Sequence, residues 1–120
     1  MADLSLILNN VLELDGAISA ALVDSHSGML LASVGRGIDI EIAAAGSSQL
    51  VRAEMKTASL LRNNDEIIDI LITLKKQYHI LRPLSKVSGI FIYLVLDSSR
   101  GNLALARRKV SDIDGLIDSI

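Results

Sequence analysis

The sequence contains no cysteine or tryptophan, one phenylalanine, two tyrosines and one proline. Without cysteine the chain can form neither disulfides nor thiolate metal sites, which fits a reducing compartment, and we expect a cytoplasmic protein. So few aromatic side chains leave almost no platform on which nucleic-acid bases could stack. The formal net charge of -2 also gives no overall attraction to nucleic acid or to an anionic membrane. We therefore predict that the protein has no nucleic-acid partner.

Long apolar runs are also missing, although 50% of the residues are hydrophobic. The longest run, residues 89–96, is too short to span a bilayer, so we expect no membrane insertion. Residues 1–5 lack the basic start of a signal peptide. The length of 120 residues fits one domain over residues 1–120. Because so small a domain has much surface for its volume, some aliphatic side chains must be exposed or covered by another chain.

The spacing of apolar residues predicts an α+β fold in the order αββαβββα. The predicted elements are a helix over 3–14, strands over 17–24 and 29–33, a helix over 39–62, strands over 66–74, 77–82 and 89–97, and a last helix from Ser99. Strands in such hairpin-like succession favour a single, mostly antiparallel five-stranded sheet with helices on both faces. The strand over 89–97 is apolar on both of its faces, so we expect it at the centre of the sheet.

Candidate catalytic and metal-binding residues are sparse. The two histidines, His26 and His79, are far apart in sequence, and no ligand spacing joins them to carboxylates. We therefore predict neither a metal site nor a cofactor. Asp24, Ser25 and His26 are neighbours, but catalytic triads are assembled in space, and we interpret these three residues as a polar hairpin turn. The expectation is that the protein is not an enzyme.

One basic cluster lies on the outer side of the last helix, away from its apolar residues. Its members are Arg100, Arg107, Arg108 and Lys109. Runs of charge usually form a solvated face, but the same cluster can serve as a docking patch, and the sequence leaves both interpretations open.

The positive signal in the sequence is for self-association. The strand over 66–74 is aliphatic and lightly charged, and at a sheet edge its unpaired backbone groups would invite a second copy. The first half of the helix over 39–62 is rich in small side chains, which let two backbones approach closely. Two copies could therefore join strand to strand and helix to helix about a two-fold axis. The alternative is that the strand is interior and the helix packs only on its own sheet.

Two parts of the sequence resemble the Roadblock family, which contains dynein light chains and bacterial partners of small GTPases. Residues 14–18 and 23–33 resemble the glycine-containing hairpin of that family. Residues 95–107, Val-Leu-Asp-Ser-Ser-Arg-Gly-Asn-Leu-Ala-Leu-Ala-Arg, resemble its junction from the last strand to the last helix. The predicted element order also matches. By position, the resemblance assigns structural roles in turns and at this junction to Gly16, Gly28, Asn102 and Arg107.

The resemblance implies a profilin-like Roadblock fold and a non-catalytic homodimeric adaptor that binds and regulates a Ras-like small GTPase. Members of the family pair the middle strand and the long helix across a two-fold axis. On this chain, the predicted dimer interface consists of Ala43, Ser47, Leu50, Glu54, Ile68, Asp69, Ile70, Leu71 and Ile72. The alternative function is a self-assembling structural or ligand-sensing module without a GTPase partner.

Overall fold

The computed structural model describes residues 3–120, which form three α-helices, one 3₁₀ helix and five strands. In chain order these are α1 (Leu4–Asn9), the 3₁₀ helix (Val11–Glu13), β1 (Ala17–Asp24), β2 (Leu30–Gly35), α2 (Ile40–Leu61), β3 (Ile70–Thr73), β4 (Gln77–Pro83), β5 (Ile90–Asp97) and α3 (Leu103–Leu116). The predicted α+β class and element order are confirmed.

The strands form one antiparallel sheet in the order β2-β1-β5-β4-β3. β5 lies at the centre, as predicted, because its apolar residues 91–96 are all buried and need cover on both faces. β2 and β3 form the two edges. β4 ends at Pro83, a position where the missing backbone N–H costs no interior ladder bond.

Helices cover both faces of the sheet. α1, the 3₁₀ helix and α3 pack on one face, around a core that includes Leu22, Ile80 and Leu94. α2 covers the other face, where Phe91 and Tyr93 are buried. Side chains that are adjacent along β5 therefore enter different cores, which is the period-two pattern of a central strand.

Side-chain caps fix where the three α-helices begin. The carboxylates of Asp3 and Asp39 accept hydrogen bonds from backbone N–H groups three residues ahead, each at 3.2 Å, and Asn102 does the same at 3.0 Å. Each cap satisfies a donor that the first helical turn leaves without an internal partner. The helix predicted over 39–62 is confirmed, and α2 starts directly after its cap Asp39, within one residue of the predicted start.

The predicted strand over 66–74 is wrong in extent, because only Ile70–Thr73 pairs with β4. The pairing of β3 with β4 begins only after Asp69, because the carboxylate of Asp69 binds Arg107 on α3. Leu74 lies in the tight turn to β4, where its N–H donates to the Gln77 carbonyl at 2.8 Å. A tertiary contact at one end and a tight turn at the other thus shorten a segment whose apolar alternation alone continues further.

The two terminal helices also differ from their predicted bounds. The helix predicted over 3–14 breaks after Asn9, and the chain continues as the 3₁₀ helix. Asparagine is a weak helix former, and two stand together at this break. The last helix begins at Leu103 and not at Ser99. The carboxylate of Asp97 accepts from both the N–H and the hydroxyl of Ser99, at 2.8 and 2.7 Å, and holds that residue in a turn.

The two parts of the chain that resemble the Roadblock family lie against each other. Gly16 has φ +84°, and its carbonyl accepts a hydrogen bond from the Asp97 N–H at 2.7 Å. A Cβ added at Gly16 would lie only 2.7 Å from the backbone nitrogen of Gly101. Glycine is therefore required at residue 16 both by its backbone angle and by this close approach.

We expect Gly16→Ala to lower the free energy of unfolding by roughly 2–3 kcal/mol, because it combines backbone strain with a backbone clash. The matched control is Gly115→Ala in α3, where an added Cβ meets nothing within 4 Å. That change should raise the free energy of unfolding by about 0.5–1 kcal/mol, since alanine is the better helix former. Urea denaturation measures both, and equal stabilities of the two variants would contradict the assignment.

Candidate interaction surface

The residues of the predicted interface lie on α2 and on the sheet edge formed by β3. On α2, Ala43, Ser47, Leu50 and Glu54 recur at spacings of four, three and four, so they share one helical face. The first three are half-buried and Glu54 is exposed. We call this row the α2 stripe.

The β3 part of the predicted interface divides between the two faces of the sheet. Ile70 and Ile72 border the hydrophobic cluster under α2, which Ala43 and Leu50 of the α2 stripe also border. Leu71 pairs with Ile80 and points to the opposite face, and its side chain is 39% exposed. The structure thus brings the α2 stripe and β3 together around one cluster.

The remaining two predicted interface residues precede β3. Ile68 is exposed, and Asp69 is held by Arg107, whose Nε and Nη2 donate to the two carboxylate oxygens at 2.9 and 3.0 Å. Asp69 is therefore a residue that anchors the approach to β3 onto α3.

Large aliphatic side chains are exposed along α2 and around β3. They are Ile42, Met55, Leu60, Leu61, Ile68, Leu71 and Leu74. None of residues 52–61, the second half of α2, is buried. An apolar border of this kind, beside a free strand edge, is typical of a surface that another chain covers.

A chain of polar side chains lies under the α2 stripe. The Tyr93 hydroxyl is 2.8 Å from Nδ1 of His79, and Nε2 of the same ring is 2.9 Å from the side-chain oxygen of Gln77. The Ser47 hydroxyl, in the α2 stripe, lies beside that of Tyr93. The contact of His79 with Tyr93 depends on the register between β4 and β5, which no pattern in the sequence indicates.

Burial sets the protonation of this chain. It lowers the pKa of His79 below its ordinary value, so the imidazole is neutral at neutral pH. It raises the pKa of Tyr93, and the hydrogen bond from Ser47 opposes that rise. Both rings are therefore uncharged where they meet, edge to face, with their centroids 5.4 Å apart.

The predicted basic cluster is divided by the structure. Arg107 is engaged by Asp69, whereas Arg100 and Arg108 are exposed and Lys109 is half-buried on α3. Both interpretations of the cluster stay open, and a docking role rests on the three residues other than Arg107.

A buried ion pair closes the end of the sheet near the second half of α2. Asp114 on α3 is 2% exposed and accepts from Nε of Arg82 at 3.0 Å. It also accepts from the N–H and the hydroxyl of Ser85, at 2.9 and 3.1 Å. The pair lines a cleft of about 380 Å³ that Met55 and residues 65–68 border. Nothing in the spacing of Arg82 and Asp114 along the sequence indicates that they meet.

The polar turn predicted at the end of β1 is confirmed. Asp24 accepts from the backbone N–H groups of His26 and Ser27, and these bonds lower the pKa of its carboxyl. The Ser25 hydroxyl donates to the Gly89 carbonyl at 2.9 Å. These side chains thus hold turns together.

Over residues 3–120 no three His, Asp or Glu side chains lie close enough together to hold a metal ion. In the same part of the chain, every helix is too short or too polar to cross a membrane.

Several solved structures share this fold. A Roadblock/LC7 domain from Streptomyces avermitilis superposes with a TM-score of 0.82 at 14% identity, covering 96% of this chain and 94% of that one. MglB from Myxococcus xanthus gives a TM-score of 0.82 at 18% identity, covering 95% and 90%. The gliding protein MglB from Thermus thermophilus gives 0.69 at 17% identity, covering 93% and 88%.

These likenesses extend over nearly the whole chain, so the protein has the fold of Roadblock/LC7 domains. The resemblance found in the sequence is confirmed at the level of the fold. No protein-family model matches the sequence, and no curated protein is significantly similar to it.

We expect Asp114→Ala to lower the free energy of unfolding by about 3 kcal/mol, because it leaves the guanidinium of Arg82 largely buried without its partner. The control is Asp118→Ala, which removes the exposed partner of Lys86. The control should barely change stability, since exposed ion pairs contribute little. Thermal unfolding of both variants measures the difference, and equal losses would contradict a structural role for the buried pair.

Proposed function

We propose that the protein is a non-catalytic homodimeric adaptor that binds and regulates a Ras-like small GTPase. The observation that carries the proposal is the uncovered border made by the β3 edge and the α2 stripe, in a chain with the Roadblock/LC7 fold. The proposal places the protein in the cytoplasm, where such a partner is found.

The first support for a dimer is the unpaired edge of β3. In the sheet of residues 3–120, β3 pairs only with β4, so half of its backbone hydrogen-bonding groups face outward. A second copy of β3, antiparallel to the first, would supply partners for those groups about a two-fold axis. The aliphatic residues of β3 would be covered in the same step, each contributing roughly 1.5–3 kcal/mol when fully buried.

The second support is the composition of α2. Residues 43–48 are Ala-Ala-Ala-Gly-Ser-Ser, whereas residues 55–61 include Met55, Leu60 and Leu61, all exposed. A two-fold axis through the α2 stripe makes the two helices antiparallel. Residues 43–48 of one helix, with small side chains, then meet residues 55–61 of the other helix. The large side chains of the second segment fill the space that the small side chains of the first leave.

The GTPase partner rests on the sequence resemblance to the Roadblock family. Several of the solved structures that share the fold of this chain are structures of MglB. A dimer of this geometry would present two copies of α2 side by side on one face of a continuous sheet. Two symmetric copies of a rigid surface suit the binding of another folded protein.

The dimer is tested with matched substitutions at the two sheet edges. Leu71 in β3 and Leu31 in β2 are 39% and 40% exposed. We expect Leu71→Lys to raise the dimer Kd at least about tenfold, because it places two like charges where the two copies of β3 meet. Leu31→Lys should leave the Kd unchanged. Sedimentation equilibrium measures both, and a dimer that survives Leu71→Lys but not Leu31→Lys would show that the other edge is used.

The GTPase is tested with purified protein and Ras-like GTPases of the same organism. We expect binding to one of them, together with a change in its rate of nucleotide exchange or hydrolysis. Leu71→Lys is the matched variant, since a function of the dimer must weaken with the dimer. Absence of binding to every such GTPase would contradict the proposal and favour a self-assembling module.

A further inference from the structure

His79 is held by hydrogen bonds at both ring nitrogens, beside the surface that the proposed dimer would cover. Its cross-strand neighbours are Ile72 on β3 and Val95 on β5. Nδ1 contacts the Tyr93 hydroxyl at 2.8 Å and Nε2 contacts the Gln77 side-chain oxygen at 2.9 Å. The ring is half-buried in the single chain, so further cover would remove it from water.

These contacts select one tautomer. The amide oxygen of Gln77 only accepts, so the proton of the neutral ring lies on Nε2. Nδ1 is then an acceptor, and the Tyr93 hydroxyl donates to it. The Ser47 hydroxyl on α2 lies beside that of Tyr93. The direction of each bond in this chain depends on Nδ1 being unprotonated.

Protonation of Nδ1 reverses the chain. The imidazolium N–H would point at the Tyr93 oxygen, which must then accept and turn its own proton toward Ser47. Ser47 belongs to the α2 stripe, so a charge on β4 is felt next to the proposed helix contact. The side chain of Tyr93 is 1% exposed, which leaves its hydroxyl little freedom to avoid this exchange.

Few charged residues lie on the side of the sheet that carries the His79 side chain. Glu54 lies on the α2 stripe, Asp97 ends β5 opposite Gln77, and Lys75 and Lys76 form the turn between β3 and β4. The residues of β3 on this face, Ile70 and Ile72, are aliphatic. Burial lowers the pKa of His79, and within the described residues the ring forms no ion pair with a carboxylate.

We propose that His79 makes the association of two copies sensitive to pH, the neutral ring permitting the dimer and the imidazolium opposing it. The inference rests on the proposed homodimer. Covering the ring with α2 of the second copy raises the free energy of its charged form. The charged ring also reverses the hydrogen bond to Tyr93, which lies beside Ser47 at the proposed helix contact.

The sign follows from linkage. If dimer formation buries His79 further, its pKa is lower in the dimer than in the monomer, and protons bind preferentially to the monomer. The dimer is then strongest above the pKa that His79 has in the monomer. It weakens as the pH falls from that pKa to the lower pKa of His79 in the dimer, below which the Kd no longer changes. Each dimer holds two copies of His79, so the Kd rises by up to about 100-fold per pH unit in the steepest range.

The test measures the Kd of the full chain by analytical ultracentrifugation at about pH 8 and about pH 5.5, the range in which histidine titrates. The chain has two histidines, which provides a matched pair of variants. His79→Gln keeps a neutral polar group that can accept from Tyr93. His26→Gln alters the exposed turn after β1. We expect the wild type and His26→Gln to dissociate at the lower pH and His79→Gln to remain dimeric.

Each outcome decides between the two proposals. A dimer whose Kd is the same at both pH values, or whose pH dependence vanishes in His26→Gln, overturns the role of His79 and leaves the dimer intact. A monomer at both pH values overturns the homodimer and the inference together. If His79→Gln does not fold, NMR titration of the wild type decides, since the ring of His79 must titrate at a lower pH in the concentrated dimer than in the diluted monomer.

Discussion

The strand β3 at the edge of the sheet constrains most of what this protein presents to its surroundings. Backbone N–H and C=O groups are strong donors and acceptors, and a strand with one neighbour leaves half of them to water or to another chain. Around β3, the aliphatic residues Ile68, Leu71 and Leu74 are exposed, and α2 leaves the second half of its length without buried residues. These features share one explanation if a second copy covers them.

The opposite edge behaves differently. β2 is also paired on one side only, but the chain places the start of α2 and α1 around it, and its register is interrupted by an irregularity beside Val23. Such irregularities twist an edge away from regular pairing. The two edges therefore offer an internal comparison, in which the same kind of substitution has different expected results.

The parts of the fold that follow from local periodicity were predictable from the sequence. β1, α2 and β5 lie within one residue of their predicted bounds, because alternating or helical apolar spacing and the cap at Asp39 specify them locally. The extent of β3 was not predictable, since it depends on the contact of Asp69 with Arg107, which are far apart in the chain. The contacts of His79 with Tyr93 and of Arg82 with Asp114 likewise depend on register and helix placement, which no local pattern contains.

The central claim, that two copies join through β3 about a two-fold axis, is tested most directly by cross-linking. The chain has no cysteine, so a single one can be introduced without background. In an antiparallel pair, residues opposite each other at the axis have Cα atoms about 4.5–5.5 Å apart, which permits a disulfide. We predict that oxidation gives a covalent dimer for one of the variants Ile70→Cys, Leu71→Cys, Ile72→Cys or Thr73→Cys, and not for Ser33→Cys in β2. Cross-linking through Ser33→Cys, with none through β3, would contradict the account.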